Sequence, residues 1–156
     1  MAKEAHNRGG DTVPPRLDSA TLNGLLGYNL RRAQQRAFQE FAEIMAPFDL
    51  SPGQLGAMIL VGANPGLNQS ALARAMGLDR STIVAVIDRL EGRGLMRRAP
   101  TPGDRRSHAL GLTAAGGAFL EQVDPHLRRH EARLAADLSA AERTTLTGLL
   151  NRINGL

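Results

Sequence analysis

Arginine is the residue through which this chain could do most of its chemistry. Eight of them, Arg74, Arg80, Arg89, Arg93, Arg97, Arg98, Arg105 and Arg106, fall between Asn68 and Leu112 against four acids, Asp79, Asp88, Glu91 and Asp104. That excess equals the formal net charge of the whole chain, +4, so the flanks on either side are neutral. A guanidinium is permanently charged and presents a planar fork of donors that matches phosphate and carboxylate oxygens. A basic segment between neutral flanks is the electrostatic footprint of a phosphate-binding surface, although solvated surface charge gives a local excess too.

Other chemistries have fewer residues to use. Cysteine is absent, which excludes disulfides, Cys-based zinc sites, iron–sulfur clusters and thiol redox sensing. Aromatic residues make up only 3% and Trp is missing, so stacking platforms for single-stranded nucleic acid are poorly supplied. Lys3 is the sole lysine, and neither a lysine-bearing glycine-rich phosphate loop nor a nucleophile elbow nor an acid–base pair is found. No catalytic residue, cofactor or enzymatic activity is therefore expected. His126 and His130 are four apart, a spacing that lets a helix offer two metal ligands from one face. With only Asp124 and Glu131 nearby, packed imidazoles are the preferred reading and no metal is expected; His108 is read as structural. No apolar run approaches the roughly 20 residues of a membrane span, and the first 16 residues lack a hydrophobic signal core, which points to a cytoplasmic protein with no membrane partner.

The elements that must carry the arginines follow from apolar spacing and punctuation. Residues 1–17, with Gly9, Gly10, Pro14 and Pro15, read as a flexible arm, and 18–156 as one domain. Leu22, Leu26, Ala33, Ala37, Phe41 and Ile44 predict a single amphipathic helix from about Asp18 to Met45, ended by Pro47. Ser51-Pro52-Gly53-Gln54 is a capping box opening a second helix to about Val61, stopped by Gly62 and Asn64-Pro65-Gly66. A third helix is predicted over Ser70–Met76, closed by Gly77, and a fourth from Arg80 to Glu91 capped by Asp79, with Ile83, Val86, Ile87 and Leu90 as its apolar face. Two short helices around a Gly-containing turn make a helix-turn-helix. Strands over Leu95–Ala99 and Ser107–Leu112, joined by a Pro100–Asp104 loop, add a hairpin with an arginine-bearing tip. A helix-turn-helix followed by a basic hairpin is a winged helix, spanning about 51–112. Beyond it, Thr113 caps a helix with a seam at Leu120, Val123, Leu127, His130 and Leu134, in which Pro125 is placed to make a kink. Ser139-Ala140-Ala141-Glu142 caps a last helix whose face is Leu146, Leu149, Leu150, Ile153 and Leu156. The fold class is mainly α with a small β-wing. The terminal helices, about 18–46 and 113–156, have apolar faces and no second layer to bury them, so a partner subunit is expected.

The same residues resemble a known family, the MarR (multiple-antibiotic-resistance regulator) winged-helix transcription factors, over about Leu22–Leu156. Leu78-Asp79-Arg80-Ser81-Thr82 and Asp88-Arg89-Leu90-Glu91-Gly92-Arg93-Gly94-Leu95 are similar to its recognition helix and the exit into the wing. Asp104-Arg105-Arg106 and Leu112-Thr113-Ala114-Ala115-Gly116 are similar to its wing signature and the start of its next helix. The resemblance implies a homodimer on a pseudo-palindromic duplex DNA operator, with a small-molecule pocket where each DNA-binding lobe meets the dimerisation helices. The function expected is a transcriptional repressor released by a small organic anion such as an aromatic acid, phenolic or aromatic acyl-CoA.

The candidate DNA-binding residues are Arg80, Ser81, Thr82, Val84, Ala85, Arg89, Arg97, Arg98, Asp104, Arg105 and Arg106. Arg106 is read as entering the minor groove, oriented by Asp104, and Arg97, Arg98 and Arg105 as phosphate contacts or solvated charges. Ser81 and Thr82 either satisfy the first turn or touch the groove. Val84 and Ala85 stand where the family often has polar or basic side chains, which weakens direct readout and leaves methyl contacts to thymine. On the first helix Tyr28, Asn29, Arg36 and Glu40 are candidate effector ligands, with Arg36 either an anion anchor or an ordinary ion-paired side chain. The competing reading is a helical protein-interaction module whose basic segment is incidental.

Overall fold

The structure, a computed structural model, describes residues 20–101 and 104–155, and side chains over that range except at 101–107. The expected N-terminal arm, 1–17, and the last apolar residue, Leu156, lie outside the described residues. The chain divides into two compact units, Met1–Gln34 and Gln35–Leu156, with the boundary inside a continuous helix.

In the first unit the single long helix predicted from Asp18 is broken. A short helix α1 (Ala20–Asn23) ends at Gly24, and α2 (Leu26–Met45) begins afresh. Glycine is a poor helix former, and the Asn29 side chain donates to the carbonyls of Asn23 (2.8 Å) and Leu25 (2.9 Å), taking backbone acceptors at the break. Leu22, Leu25 and Leu26 are exposed, so this end of the apolar stripe is uncovered in the chain.

The second unit begins within α2, whose C-terminal Phe41, Ile44 and Met45 are buried. Pro47 lies in a 3-10 turn, Ala46–Phe48, which ends at Asp49 in the left-handed region (φ 45°). Helix α3 (Pro52–Ala63) starts on the predicted capping box: Ser51 accepts from the Gln54 amide and the Gln54 side chain accepts from the Ser51 amide. Apolar residues run around most of its circumference, as a helix covered on several sides requires, and Leu55, Ala57, Met58 and Val61 are buried. Helix α4 (Gln69–Met76) is capped by Asn68, and Gly77 closes it with φ 62°. Helix α5 (Arg80–Gly92) is capped by Asp79 and buries Ile83, Ile87 and Leu90, with Val86 half-buried.

Strands β1 (Met96–Thr101) and β2 (Asp104–Leu112) pair antiparallel from Met96 with Leu112 to Pro100 with His108. The hairpin is longer than predicted, because β1 is an edge strand where proline's missing N–H is tolerated. The other edge of β2 is covered by the α3–α4 connection: the Leu110 amide donates to the Leu67 carbonyl (2.8 Å) and Asn68 bridges Ala109. Helix α6 (Ala114–Leu134), capped by Thr113, continues through Pro125, with Val123 and His130 buried. Helix α7 (Ala140–Ile153) has the predicted Ser139–Glu142 capping box and no buried residue. Among the described residues no single helix is long and apolar enough to cross a membrane.

Candidate nucleic-acid interface

Helix α5 places the interface. Its apolar face is sealed in the core, so Arg80, Ser81, Thr82, Ala85, Asp88 and Arg89 are left exposed, with Val84 half-buried beside them. Asp79 organises the amino end. Its carboxylate accepts the Thr82 amide (2.8 Å), the Ser81 hydroxyl (2.5 Å) and the Thr82 hydroxyl (2.7 Å). The Ser81 hydroxyl first, then the Thr82 amide and hydroxyl, hold the Asp79 carboxyl well below its ordinary value of 3.8. Both hydroxyls therefore spend their protons on Asp79, and it is the Asp79 carboxylate that satisfies the first-turn amide of Thr82. Outward the hydroxyls offer lone pairs, which suit a base amino group better than a phosphate oxygen.

The arginines sort into two groups. Arg74, Arg80 and Arg97 are exposed and form no ion pair among the described residues. Arg80 also helps line a polar cleft of about 280 Å³ with Asn68, Gln69, Ser70, Arg98 and His108. Arg98, in contrast, is turned inward. Its guanidinium pairs with Glu91 and with Asp88 (2.6 Å), while its amide donates to Glu91 (2.8 Å), so it ties β1 to α5. Arg93 donates to the carbonyls of Asp49 (2.7 Å) and Phe48 (2.8 Å), and its guanidinium lies 5.2 Å from the Phe119 ring centre. Arg89 donates to both oxygens of Asp49, at 3.1 and 3.3 Å.

Asp104, Arg105 and Arg106 belong to β2 by backbone, but their side chains lie outside the described residues. The structure adds Asp49 and Arg93, which sequence reasoning leaves unassigned. Asp49 stands just before a capping box and is one of the residue types that tolerate the left-handed region, a signal that marks the turn but not its partners.

The four effector candidates are placed as follows. Tyr28 is half-buried, with the Arg31 and Arg32 guanidinium groups 5.7 and 5.8 Å from its ring centre. Asn29 is committed to the carbonyls at the α1–α2 break. Arg36 pairs within its own helix with Glu40 at 3.2 Å, the arginine side chain 57% exposed and the glutamate 14%. The second Glu40 oxygen is buried without a hydrogen-bond partner. The two histidines make separate packing contacts: Nε2 of His130 lies 3.1 Å from the Ala37 carbonyl with its ring edge-on to Phe41, and His126 packs on Phe48.

Relatives agree with this geometry. Residues 50–108, from the turn before α3 into the wing, match the MarR family model. A proposed transcriptional regulatory protein for the hcr operon of Thauera aromatica is 42% identical over 134 residues, 85% of this chain and 81% of that one. The transcriptional repressor CouR, solved bound to a 23-mer DNA duplex, superimposes with a TM-score of 0.85 at 43% identity, covering 88% of this chain and 98% of that one. CouR bound to p-coumaroyl-CoA gives a TM-score of 0.80 at 40% identity, covering 88% and 97%. A helix-turn-helix with its wing, matched along most of its length at this identity, is shared descent, and the chain belongs to the MarR family of winged-helix transcriptional regulators.

Proposed function

We propose that the chain is a homodimeric repressor that binds a pseudo-palindromic duplex operator and is released from it by a small organic anion, an aromatic acid, phenolic or aromatic acyl-CoA. The observation that carries this reading is the polarity of α5: Ile83, Ile87 and Leu90 are sealed in the core, and Arg80, Ser81, Ala85 and Arg89 stand outward, where a major groove would meet them. Arg106 enters the adjoining minor groove with Asp104 beside it, while Arg97 and Arg105 contact phosphates. Arg98 acts from behind, holding the wing strand to α5 through Asp88 and Glu91. The exposed Leu146, Leu149 and Ile153 of α7, and Leu22, Leu25 and Leu26 near the amino end, are the apolar surface a second subunit covers. Two-fold symmetry then sets half-sites about one helical turn apart. DNA-bound and p-coumaroyl-CoA-bound CouR support both halves of the proposal, the operator and the aromatic effector. The effector acts only through its difference in affinity for the free and DNA-bound arrangements.

The test is selection of bound fragments from genomic DNA, followed by anisotropy titrations across a salt series. Affinity is expected to fall steeply with salt, and aromatic acids and their thioesters to release the selected fragment. A flat salt response without preference among fragments would instead support an interaction module.

A further inference from the structure

Helix α5 turns three side chains straight out from the core. Ile83, Ile87 and Leu90 are sealed inside, and at about 100° per residue Ser81, Ala85 and Asp88 form the stripe opposite them, with Arg80 and Arg89 on its two flanks. That stripe has no hydrogen-bond donor to offer. The Ser81 hydroxyl donates to one Asp79 oxygen (2.5 Å), which also accepts the Thr82 amide (2.8 Å), and the Thr82 hydroxyl donates to the other (2.7 Å). Ala85 ends in a methyl group, and Asp88 is a carboxylate paired with Arg98. A hydroxyl carries one proton, and once that is given to Asp79 only lone pairs remain, made more negative by the carboxylate behind them. The Asp79 carboxyl is held well below its ordinary value, which keeps this arrangement across the neutral range.

We propose that Asp79 is a positioning residue for sequence readout: by taking the Ser81 proton it makes Ser81 an obligate acceptor, and the operator base beneath Ser81 is one that presents an amino group in the major groove, cytosine or adenine. Guanine offers N7 and O6 there and thymine offers O4, all acceptors, so each would face the Ser81 oxygen lone pair to lone pair. Phosphate is disfavoured for the same reason, which leaves backbone contacts to the arginines on the flanks. One turn along, the Ala85 methyl neither donates nor accepts, and it suits the thymine methyl. The inference rests on α5 lying in the major groove and deepens that reading, because it assigns a base class to one position on the helix. The two oxygens of Asp79 make the assignment separable. Asparagine in its place keeps the oxygen that holds the Thr82 amide and the Ser81 hydroxyl, while its amino group meets the Thr82 hydroxyl and frees only that proton. Glycine removes both acceptors and still serves as a helix cap.

The experiment selects bound duplexes from a randomised library with the full chain and its Ser81→Ala, Asp79→Asn and Asp79→Gly variants, then measures single-base changes by anisotropy. Ser81→Ala identifies the base that Ser81 reads, as the position whose preference it alters. Wild type is expected to hold cytosine or adenine there and to bind guanine or thymine at least about fivefold more weakly. Asp79→Asn should keep that preference, while Asp79→Gly should bring guanine to within about twofold. Both variants lose the same charge, so any general gain in affinity for DNA is common to them. N4-methylcytosine, or N6-methyladenine where the base is adenine, keeps Watson–Crick pairing and puts a methyl where the major-groove amino hydrogen stood. It should weaken wild type about fivefold and Ser81→Ala less than about twofold, a coupling that misfolding cannot imitate. The proposal is overturned if Ser81→Ala alters no base preference, if guanine or thymine is preferred where it does, if Asp79→Gly discriminates as wild type does, or if the methylated base binds as well as its parent. Clear base preferences to which Ser81 is indifferent would remove this assignment and leave α5 as the reading helix; absence of binding to any duplex would overturn both.

Discussion

Gly116, the last residue of the Leu112-Thr113-Ala114-Ala115-Gly116 motif, has a steric reason to be glycine. A Cβ at that position would lie 2.0 Å from the Leu95 carbonyl oxygen and 2.9 Å from its carbon. A carbon–oxygen contact wants at least about 3.3 Å, so Gly116→Ala requires helix and strand entry to part by about 1 Å. Backbone stands on both sides, and the same junction is stapled. The Leu95 carbonyl accepts the Thr113 amide (3.2 Å), while the Thr113 hydroxyl donates to the Gly94 carbonyl (2.6 Å) and accepts the Gly116 amide (3.0 Å). Overpacking costs about 1–3 kcal/mol, and disturbance of the cap adds about 1 kcal/mol. Alanine's helix propensity returns about 1 kcal/mol. The expected net loss is about 1–3 kcal/mol, or roughly 2–12 °C in Tm for a chain of this size. Urea and thermal unfolding by circular dichroism, at matched protein concentration, measure it. Gly117→Ala is the control: nothing lies within 4 Å of its Cβ position, and up to about 1 kcal/mol of stabilisation is expected. A Gly116→Ala protein within about 0.5 kcal/mol of wild type would refute the steric account.

Arg98→Ala leaves Asp88 and Glu91 without their shared counter-charge and is expected to cost about 1–2 kcal/mol in urea unfolding, discounted for the exposure of Asp88; Arg98→Lys should recover only part of it. Asp79, whose carboxyl is depressed below 3.8, stabilises the fold fully above that value and loses the contribution as pH falls toward the lower folded value. The stability gap between wild type and Asp79→Ala should therefore stay constant from pH 7 to about pH 5, narrowing only in stronger acid. A gap already closing at pH 6 would mean that the Ser81 and Thr82 bonds do not hold the carboxylate. Leu149→Glu with Ile153→Glu puts charge on the exposed face of α7 and is expected to give a folded monomer in light scattering; an unchanged dimer would move the interface elsewhere.

Local signals are legible because their physics is local. The Ser51 and Ser139 capping boxes, the Asp79 and Thr113 caps and the left-handed Gly77 each depend on groups within a few residues, and each stands where spacing predicts it. The winged-helix order follows from them. The α1–α2 break escapes periodicity because an apolar stripe continues across Gly24, and the competing Asn29 bonds leave no trace in the pattern. The Asn68 bridge to Ala109 of β2 escapes it too, because it joins residues far apart in the chain.

The arginines mark the limit of charge counting. Eight in the central segment read as one footprint, yet Arg93 and Arg98 are spent inside the protein, on the carbonyls of Phe48 and Asp49 and on the carboxylates of α5. Nothing about either residue type or its neighbours distinguishes them from Arg97, which is exposed, because the partners arrive from positions far along the chain or across a turn. For the proposed dimer the distinction has a consequence. If Arg74, Arg80, Arg97 and an Arg89 released from Asp49 are joined on the DNA by Arg105 and Arg106 of the wing, as proposed, twelve arginines in the dimer bound the salt response at a slope of about −11, against about −14 for all eight of each chain. Arg89→Gln should flatten that slope by about two in the dimer if Arg89 leaves Asp49 for phosphate on DNA. An unchanged slope would mean that Asp49 keeps Arg89 in the complex, and that the recognition helix is held on the α2–α3 corner while it reads the groove.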